Sequence, residues 1–371
     1  MRMKKLLSVT LAATMVLSLT ACGDEGGSDA NSGGSSNNEP SSASSDANSG
    51  SSGSGDTIKI GFAQVGHESD WRTASTESCQ TTFSKDNGYD LSFVDCDNDS
   101  ATQLEAVRNF IQQQVDYIII DPIVETGWDT VLQEASDAGI PVLIIDRTIK
   151  ADESLYTAWV GSDFKTEGQA AGAWLQAYLE AKGRADEDIN IVTIAGTTGA
   201  SAQIGRTDGF NEYVDANDKW TLLDEQDGDF TQDGGQQIME SFLKSYDDID
   251  VVVCQNDNEA FGAMDALKTA GKTYGKDGDV IIISFDSTNA GLTEVLNGTI
   301  NANFECNPLA APYVEDIIKT LESGGSVSEK QVYMDEACFA CDDTVDTFKT
   351  ADGKDLKMTV MTQEVLDARA Y

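Results

Sequence analysis

Two residue pairs in this sequence have the makings of a polar binding wall: Asp146-Arg147 and Trp71-Arg72. The first pair ends Pro141-Val142-Leu143-Ile144-Ile145, a continuous apolar run that predicts a strand buried on both faces of a parallel sheet. The second pair follows another such run, Ile58 to Phe62. In open α/β sheets ligands bind beyond the carboxyl ends of the strands, where these residues stand. Gln64, Asp95 and Asp121 occupy similar places in the first half of the chain, and Asn256, Asp257 and Asp286 in the second. Arg206 and Phe230 fall in strand-to-helix regions of the second half. A carboxylate accepts from two adjacent hydroxyls, and a guanidinium donates to two oxygens. An aromatic ring packs on an apolar C–H face and excludes water. Together these groups suit a neutral polyol. Strand-end Asp and Asn also cap helices, which would account for Asp95 and Asp257. Capping needs neither Arg nor Trp, so it does not account for the two pairs.

Other motifs carry less. Gly271-Lys272-Thr273 resembles the end of a phosphate-binding loop, but the earlier glycine position is Ala266. Asp95, Asp97 and Asp99 alternate as in a calcium loop, yet its glycine and final acid positions are Ser100 and Ala106. His67 is the only histidine, so a Cys₂His₂ zinc site is impossible and a Ser-His-Asp triad would have to be built around it. Cys338-Phe339-Ala340-Cys341 has CxxC spacing without a second such pair, and reads as a local disulfide or two idle thiols. Paired carboxylates of the glycosidase kind are plentiful in so acidic a chain, and the lobed repeat argues against a glycosidase.

The elements that must position these groups follow a repeating pattern. Strands are predicted at Ile58–Phe62, Leu91–Asp95, Tyr117–Asp121, Pro141–Ile145 and Tyr156–Val160, separated by helical stripes such as Leu104, Val107 and Ile111. The pattern restarts with a helix through Trp174 and Leu175. Strands follow at Ile191–Ile194, Thr221–Asp224, Val251–Val253 and Val280–Phe285. The expected fold class is α/β, with two doubly wound parallel-sheet lobes. A late strand, Thr299–Glu305, and a helix opened by Pro308 are expected to return the chain to the first lobe.

The ends have their own signatures. Arg2, Lys4 and Lys5 precede an apolar stretch from Leu6 to Leu19, too short to span a bilayer but suited to a secretory signal. Leu19-Thr20-Ala21-Cys22 resembles the bacterial lipobox, which implies lipidation at Cys22 and a membrane anchor on the extracytoplasmic face. A tract of Ser, Gly, Asn and Asp then runs to about Asp56 and reads as a disordered tether. The chain has 24 basic and 64 acidic residues, a net charge of −40. Such a surface argues against nucleic acid and anionic lipid as partners. Of the 7 cysteines, those after Cys22 are Cys79, Cys96, Cys254, Cys306, Cys338 and Cys341.

Several motifs together resemble one family. Gly61-Phe62-Ala63-Gln64-Val65-Gly66 followed by Glu68-Ser69-Asp70-Trp71-Arg72 looks like the opening of periplasmic galactofuranose-binding proteins, within the ribose/galactose group of ABC-transporter solute-binding proteins. Asp121 to Trp128, Asp146 to Ile149, Gly196 to Ser201 and Gly228-Asp229-Phe230-Thr231 resemble the same group. The similarity runs from about Ile58 to Leu321. It implies lobes joined by a hinge around a cleft that encloses one monosaccharide, a galactofuranose-like or related aldose, and delivers it to the permease of an ABC importer. The alternative is a sugar-sensing subunit that presents its liganded form to a membrane kinase or chemoreceptor. In either case the resemblance implies a monomer that is not an enzyme and has no cofactor or metal. The site positions it implies are Trp71, Arg72, Asp146 and Arg147 from the first lobe, and Arg206, Phe230, Asn256 and Asp286 from the second, with Glu305 near the hinge. Asp121 departs from the family, where Asn or Ala is commoner. The expected divisions are a signal peptide at 1–21, the tether at 22–56, the first lobe at 57–164 and the second lobe at 165–305. Residues 306–326 return to the first lobe, and residues 327–371 are expected to pack on the second lobe.

Overall fold

The computed structural model describes residues 57–371, so the expected signal peptide, the expected lipidation at Cys22 and the expected tether lie outside the described residues. The chain forms an α/β structure of two lobes, each built on its own sheet. The first sheet contains β1 (Ile58–Gln64), β2 (Tyr89–Asp95), β3 (Tyr117–Ile120), β4 (Val142–Ile145), β5 (Ala158–Gly161) and β11 (Gln331–Tyr333). Their order is β11-β5-β4-β3-β1-β2, and every pair is parallel. β3, β4 and β5 are buried at every position, as their unbroken apolar runs require. Helices α1 (Asp70–Thr82) and α9 (Ala311–Glu322) cover one face, with Cys79, Val314 and Ile318 packed on Ile60, Ile119 and Ile145. Helices α2 (Ser100–Gln113) and α3 (Asp129–Asp137) cover the other through Val107, Phe110, Val131 and Leu132.

The second sheet holds β6 (Ile189–Ala195), β7 (Trp220–Asp227), β8 (Val251–Cys254), β9 (Ile281–Asp286), β10 (Ala302–Glu305), β12 (Cys338–Ala340), β13 (Thr347–Lys349) and β14 (Asp355–Val360), in the order β13-β14-β12-β10-β9-β8-β6-β7. Helices α4 (Phe164–Ala181) and α5 (Ser201–Ala216) pack on one face through Trp174, Leu175 and Phe210. Helices α6 (Gln232–Ser245), α7 (Asp257–Thr269) and α8 (Asn289–Asn297) pack on the other through Phe242, Leu267 and Leu292. α4 and α5 approach closely because Gly168 and Gly209 face the partner backbone. A Cβ on Gly168 would stand 2.4 Å from the Arg206 carbonyl oxygen, and one on Gly209 2.2 Å from that of Lys165. That approach brings Glu167 and Arg206 together.

Two features differ from expectation. α8 was not among the expected helices; it starts at the Thr288 cap and stops at Gly298, which takes a left-handed conformation (φ +80°). Residues 327–371, expected on the second lobe, divide: Gln331–Tyr333 extends the first sheet beside β5, and the chain from Cys338 joins the second beside β10. Over the described residues the chain therefore passes between lobes three times, from β5 to α4, from β10 to α9 and from β11 to β12. The cysteines after Cys22, including Cys338 and Cys341, are free thiols.

Candidate functional site

The site's first half is assembled by the loops after β1, β3 and β4. Ser69 caps α1 by accepting from the Arg72 backbone N–H at 3.1 Å, which places Trp71 and Arg72 in the first helical turn. The Arg72 guanidinium is buried among three carboxylates. Its Nε donates to Glu68 Oε1 at 2.7 Å, and its Nη1 to Asp146 Oδ2 at 3.0 Å and to Asp121 Oδ2. Burial alone would lower the Arg72 pKa, but Asp121, Glu68 and Asp146 outweigh it and raise it. Glu68 shows the reciprocal balance: burial pushes its carboxyl up, while Arg72 and Arg147 hold it below the usual range. Arg147 Nη1 donates to the Ile123 carbonyl at 3.0 Å, and its guanidinium lies 5.1 Å from the centre of the Phe230 ring, which belongs to the other lobe.

The second half centres on Arg206. Its Nε donates to Glu167 Oε2 at 2.7 Å, its Nη1 to the Gln255 carbonyl, and its Nη2 to Asp286 Oδ1 at 3.3 Å. The guanidinium carbon stands 5.4 Å from the Phe164 ring centre and 4.9 Å from that of Phe285. Asn256 caps α7, accepting from the Glu259 N–H at 2.8 Å, and its Nδ2 donates to the Phe230 carbonyl at 2.9 Å. Its amide is thus spent on holding Phe230. Burial raises the Asp286 carboxyl well above the usual range despite Arg206, and Asp257, Glu167 and Asp146 add to the rise. Among the described residues no donor reaches Asp146 Oδ1 or Asp286 Oδ2, and Arg147 Nη2 makes no hydrogen bond. Glu68 Oε2 is likewise bare, and Arg72 Nη2 and Arg147 Nε donate no hydrogen bond, so the cavity wall keeps several unspent acceptors and donors among the described residues.

Three lining residues hold positive φ: Asp146 (+58°), Phe230 (+59°) and Asp286 (+92°). Such backbone costs about 1–3 kcal/mol per residue and concentrates at ligand clamps. The two halves meet across hydrogen bonds that run directly between lobes. Asp70 N donates to Asn258 Oδ1 (3.1 Å), Asn98 Nδ2 to Asp229 Oδ1 (2.9 Å), Glu125 N to the Gly199 carbonyl (3.0 Å) and Thr148 N to Ser201 Oγ (2.8 Å). Trp71 Nε1 donates to the carbonyl of Cys306 in the second crossing at 2.7 Å.

Trp71, Arg72, Asp146, Arg147, Arg206, Phe230, Asn256 and Asp286 thus line one cavity. Glu305 does not. Its Oε2 accepts from the Ala337 N–H at 2.7 Å, and its Oε1 from Arg369 Nη2 at 2.6 Å and from the Tyr371 hydroxyl, so the end of the chain occupies it. Asp121 lies behind the wall, bound to Arg72 rather than lining the cavity. Glu68, Ser69, Phe164, Ala202 and Cys306 line it without having been singled out. Phe164 carried a readable signal, an aromatic just after a strand; Cys306 carried none. A roomier groove between α1 and α8, lined by Asp70, Thr73, Glu77, Asn289 and Tyr371 among others, has no Arg or Lys among the described residues of its lining. The smaller cavity holds the three guanidiniums, and it is the candidate site.

A periplasmic binding protein domain model matches residues 60–311. The galactofuranose-binding protein YtfQ of Escherichia coli is 37% identical over 277 residues, 74% of this chain and 85% of that one. A crystal structure from Mycobacterium smegmatis in complex with β-D-fucofuranose is 42% identical, covering 77% of this chain and 92% of that chain, with a TM-score of 0.73. The binding component of the arabinose ABC transporter from Shewanella sp. ANA-3, bound to α- and β-L-arabinofuranose, is 36% identical, covering 77% and 93%, with a TM-score of 0.72. The two-lobed fold, the interlobe cavity and these likenesses agree, and the chain belongs to the periplasmic binding protein domain family.

Proposed function

We propose that the protein is an extracytoplasmic receptor that encloses one monosaccharide in its furanose form and presents it to an ABC importer. The observation that carries this reading is the cavity between the lobes. Three guanidiniums, the free oxygens of Asp146 and Asp286, and the rings of Trp71, Phe164 and Phe230 converge there from both sides. Hydroxyls satisfy the first two sets, and a ring's C–H face packs on the third. Contacts from both lobes stabilise the closed arrangement over an open one, and the importer reads the closed arrangement. The relatives bound to fucofuranose and arabinofuranose support the five-membered ring. No chemistry on the sugar is proposed, since Asp146 and Asp286 are each paired with an Arg. The protein acts as a monomer anchored through a lipid on Cys22.

Calorimetry against D-galactose, D-fucose, L-arabinose, D-ribose and D-fructose tests the sugar class. Methyl glycosides locked as furanosides and as pyranosides test the ring. Saturable binding to an aldose, with the furanoside preferred, is the expected result. Absence of binding across the panel overturns the sugar assignment, and preference for the pyranoside overturns the ring assignment.

A further inference from the structure

We propose that Glu167, Cys306 and Glu336 form a zinc site at the hinge, beside the sugar cavity rather than in it. The Cys306 sulfur and one carboxylate oxygen from each glutamate lie within 4.8 Å of one another. Glu167 is 4% exposed and Cys306 2%. Arg206 holds Glu167 by Oε2, while Oε1 of the same carboxylate has no hydrogen-bond partner among the described residues. A buried carboxylate oxygen left bare is costly, and a cation is one group that satisfies it. Ser162 Oγ stands 3.4 Å from Cys306 Sγ and hydrogen-bonds Glu336 Oε1, which supplies a neutral fourth donor.

The donor set selects the ion. Calcium and magnesium take oxygen ligands, whereas one sulfur with two carboxylates suits a cation of intermediate softness. Tetrahedral zinc, with Zn–S about 2.3 Å and Zn–O about 2.0–2.2 Å, sets its donors roughly 3.5 Å apart. From separations of at most 4.8 Å, the cluster reaches that geometry with a contraction of no more than about an ångström. On binding, the zinc ion replaces the Cys306 thiol proton, which passes to solvent, and a Zn–S bond forms.

Position gives the site its consequence. Ser162 lies in the first crossing between lobes, Cys306 in the second and Glu336 in the third, with Glu167 in the first turn of α4. An ion held by these groups ties the three crossings together at one point. It also touches the sugar cavity, because Cys306 lines it and Glu167 positions Arg206. Zinc and sugar affinities are therefore coupled, each ion or sugar changing the other's affinity by the same factor.

The test uses the purified chain after dialysis against a chelator, titrated with zinc chloride by calorimetry and with cobalt(II) by absorption. One zinc per chain is expected, with a thiolate-to-cobalt charge-transfer band. Cys306→Ser should abolish the band, and Glu336→Gln should weaken zinc binding by roughly tenfold or more. Cys338→Ser should leave both intact. No saturable zinc binding by the parent protein overturns the proposal. So does a band that survives Cys306→Ser and disappears with Cys338→Ser, which would assign the metal to the CxxC pair. The readout is metal binding, so it stands or falls independently of the sugar assignment.

Discussion

The hydrogen bonds that run between lobes make the closure hypothesis quantitative. Asn98→Ala, Ser201→Ala and Asn258→Ala each remove a side-chain partner of a bond across the cleft: to Asp229 at 2.9 Å, from Thr148 N at 2.8 Å and from Asp70 N at 3.1 Å. None of the three residues lines the cavity. If these bonds exist only when the lobes are together, each deletion destabilises the closed state by about 1 kcal/mol and leaves an open state untouched. The three sites share no partner, so the effects add to about 3 kcal/mol in the triple variant. At 1.4 kcal/mol per factor of ten, sugar affinity should fall roughly 100-fold. The fall should lie mainly in faster release, because the cavity itself is unchanged. Calorimetry gives the affinity, stopped-flow tryptophan fluorescence, to which Trp71 at the cavity contributes, gives the release rate, and small-angle scattering compares compactness with and without sugar. A triple variant that is folded and binds within threefold of the parent refutes the reasoning, since the bonds would then not distinguish the binding-competent arrangement.

Asp146→Asn keeps the shape but replaces a charged acceptor that faces Arg72 and the cavity; affinity should drop by about 1.5–3 kcal/mol in calorimetry, and an unchanged value would remove Asp146 from the site. Gly196→Ala puts a Cβ 1.9 Å from the tip of the Phe230 ring. The ring must leave its place over Arg147, at a cost of about 1–3 kcal/mol, and sugar titration should show at least a comparable loss of binding. Asp257 is buried with only neutral donors (Ser284, Thr288 and Asn303), so burial pushes its carboxyl up to about 6 although those donors oppose the rise. Its folded pKa lies above the unfolded value, so its stabilising contribution is complete below about pH 4 and is lost as pH rises through about 6, by roughly 3 kcal/mol. Urea unfolding at pH 4.5 and 7.5 should show the advantage of the parent over Asp257→Asn shrinking at the higher pH; a pH-independent difference would contradict the assignment.

Much of this architecture was legible because parallel sheets write it plainly. The runs Val142–Ile145 and Val251–Cys254 are apolar at every position, which only strands covered on both faces tolerate, and polar residues at their ends mark the cavity rim. Arg72 and Arg147 stood out because a helix cap needs no guanidinium. Glu305 misled for a physical reason. It pairs in register with Asp286, one strand from the cavity, but Arg369 and Tyr371 capture its carboxylate from more than sixty residues away. Nothing local to Glu305 announces that competition. Cys306 reached the cavity through the course of the second crossing, which has no periodic signal. β11, β12 and β13 have three residues each, too few for alternation to rise above chance, so the chain's division between the two sheets was hidden.

The three crossings also bear on how such a protein can be taken apart. A cut after Gly161 would keep the first five strands, yet it would leave behind α9, whose Val314 and Ile318 complete the core around Ile60, Ile119 and Ile145. A cut after Glu305 loses the same helix, and it also loses Phe348 and Met358, which sit in the core around Trp174 and Phe304. Neither lobe is a contiguous length of chain. Swapping lobes between relatives by a single splice would therefore join two unfinished halves; a working chimera has to exchange both segments of a lobe at once, with all three junctions falling in the crossings.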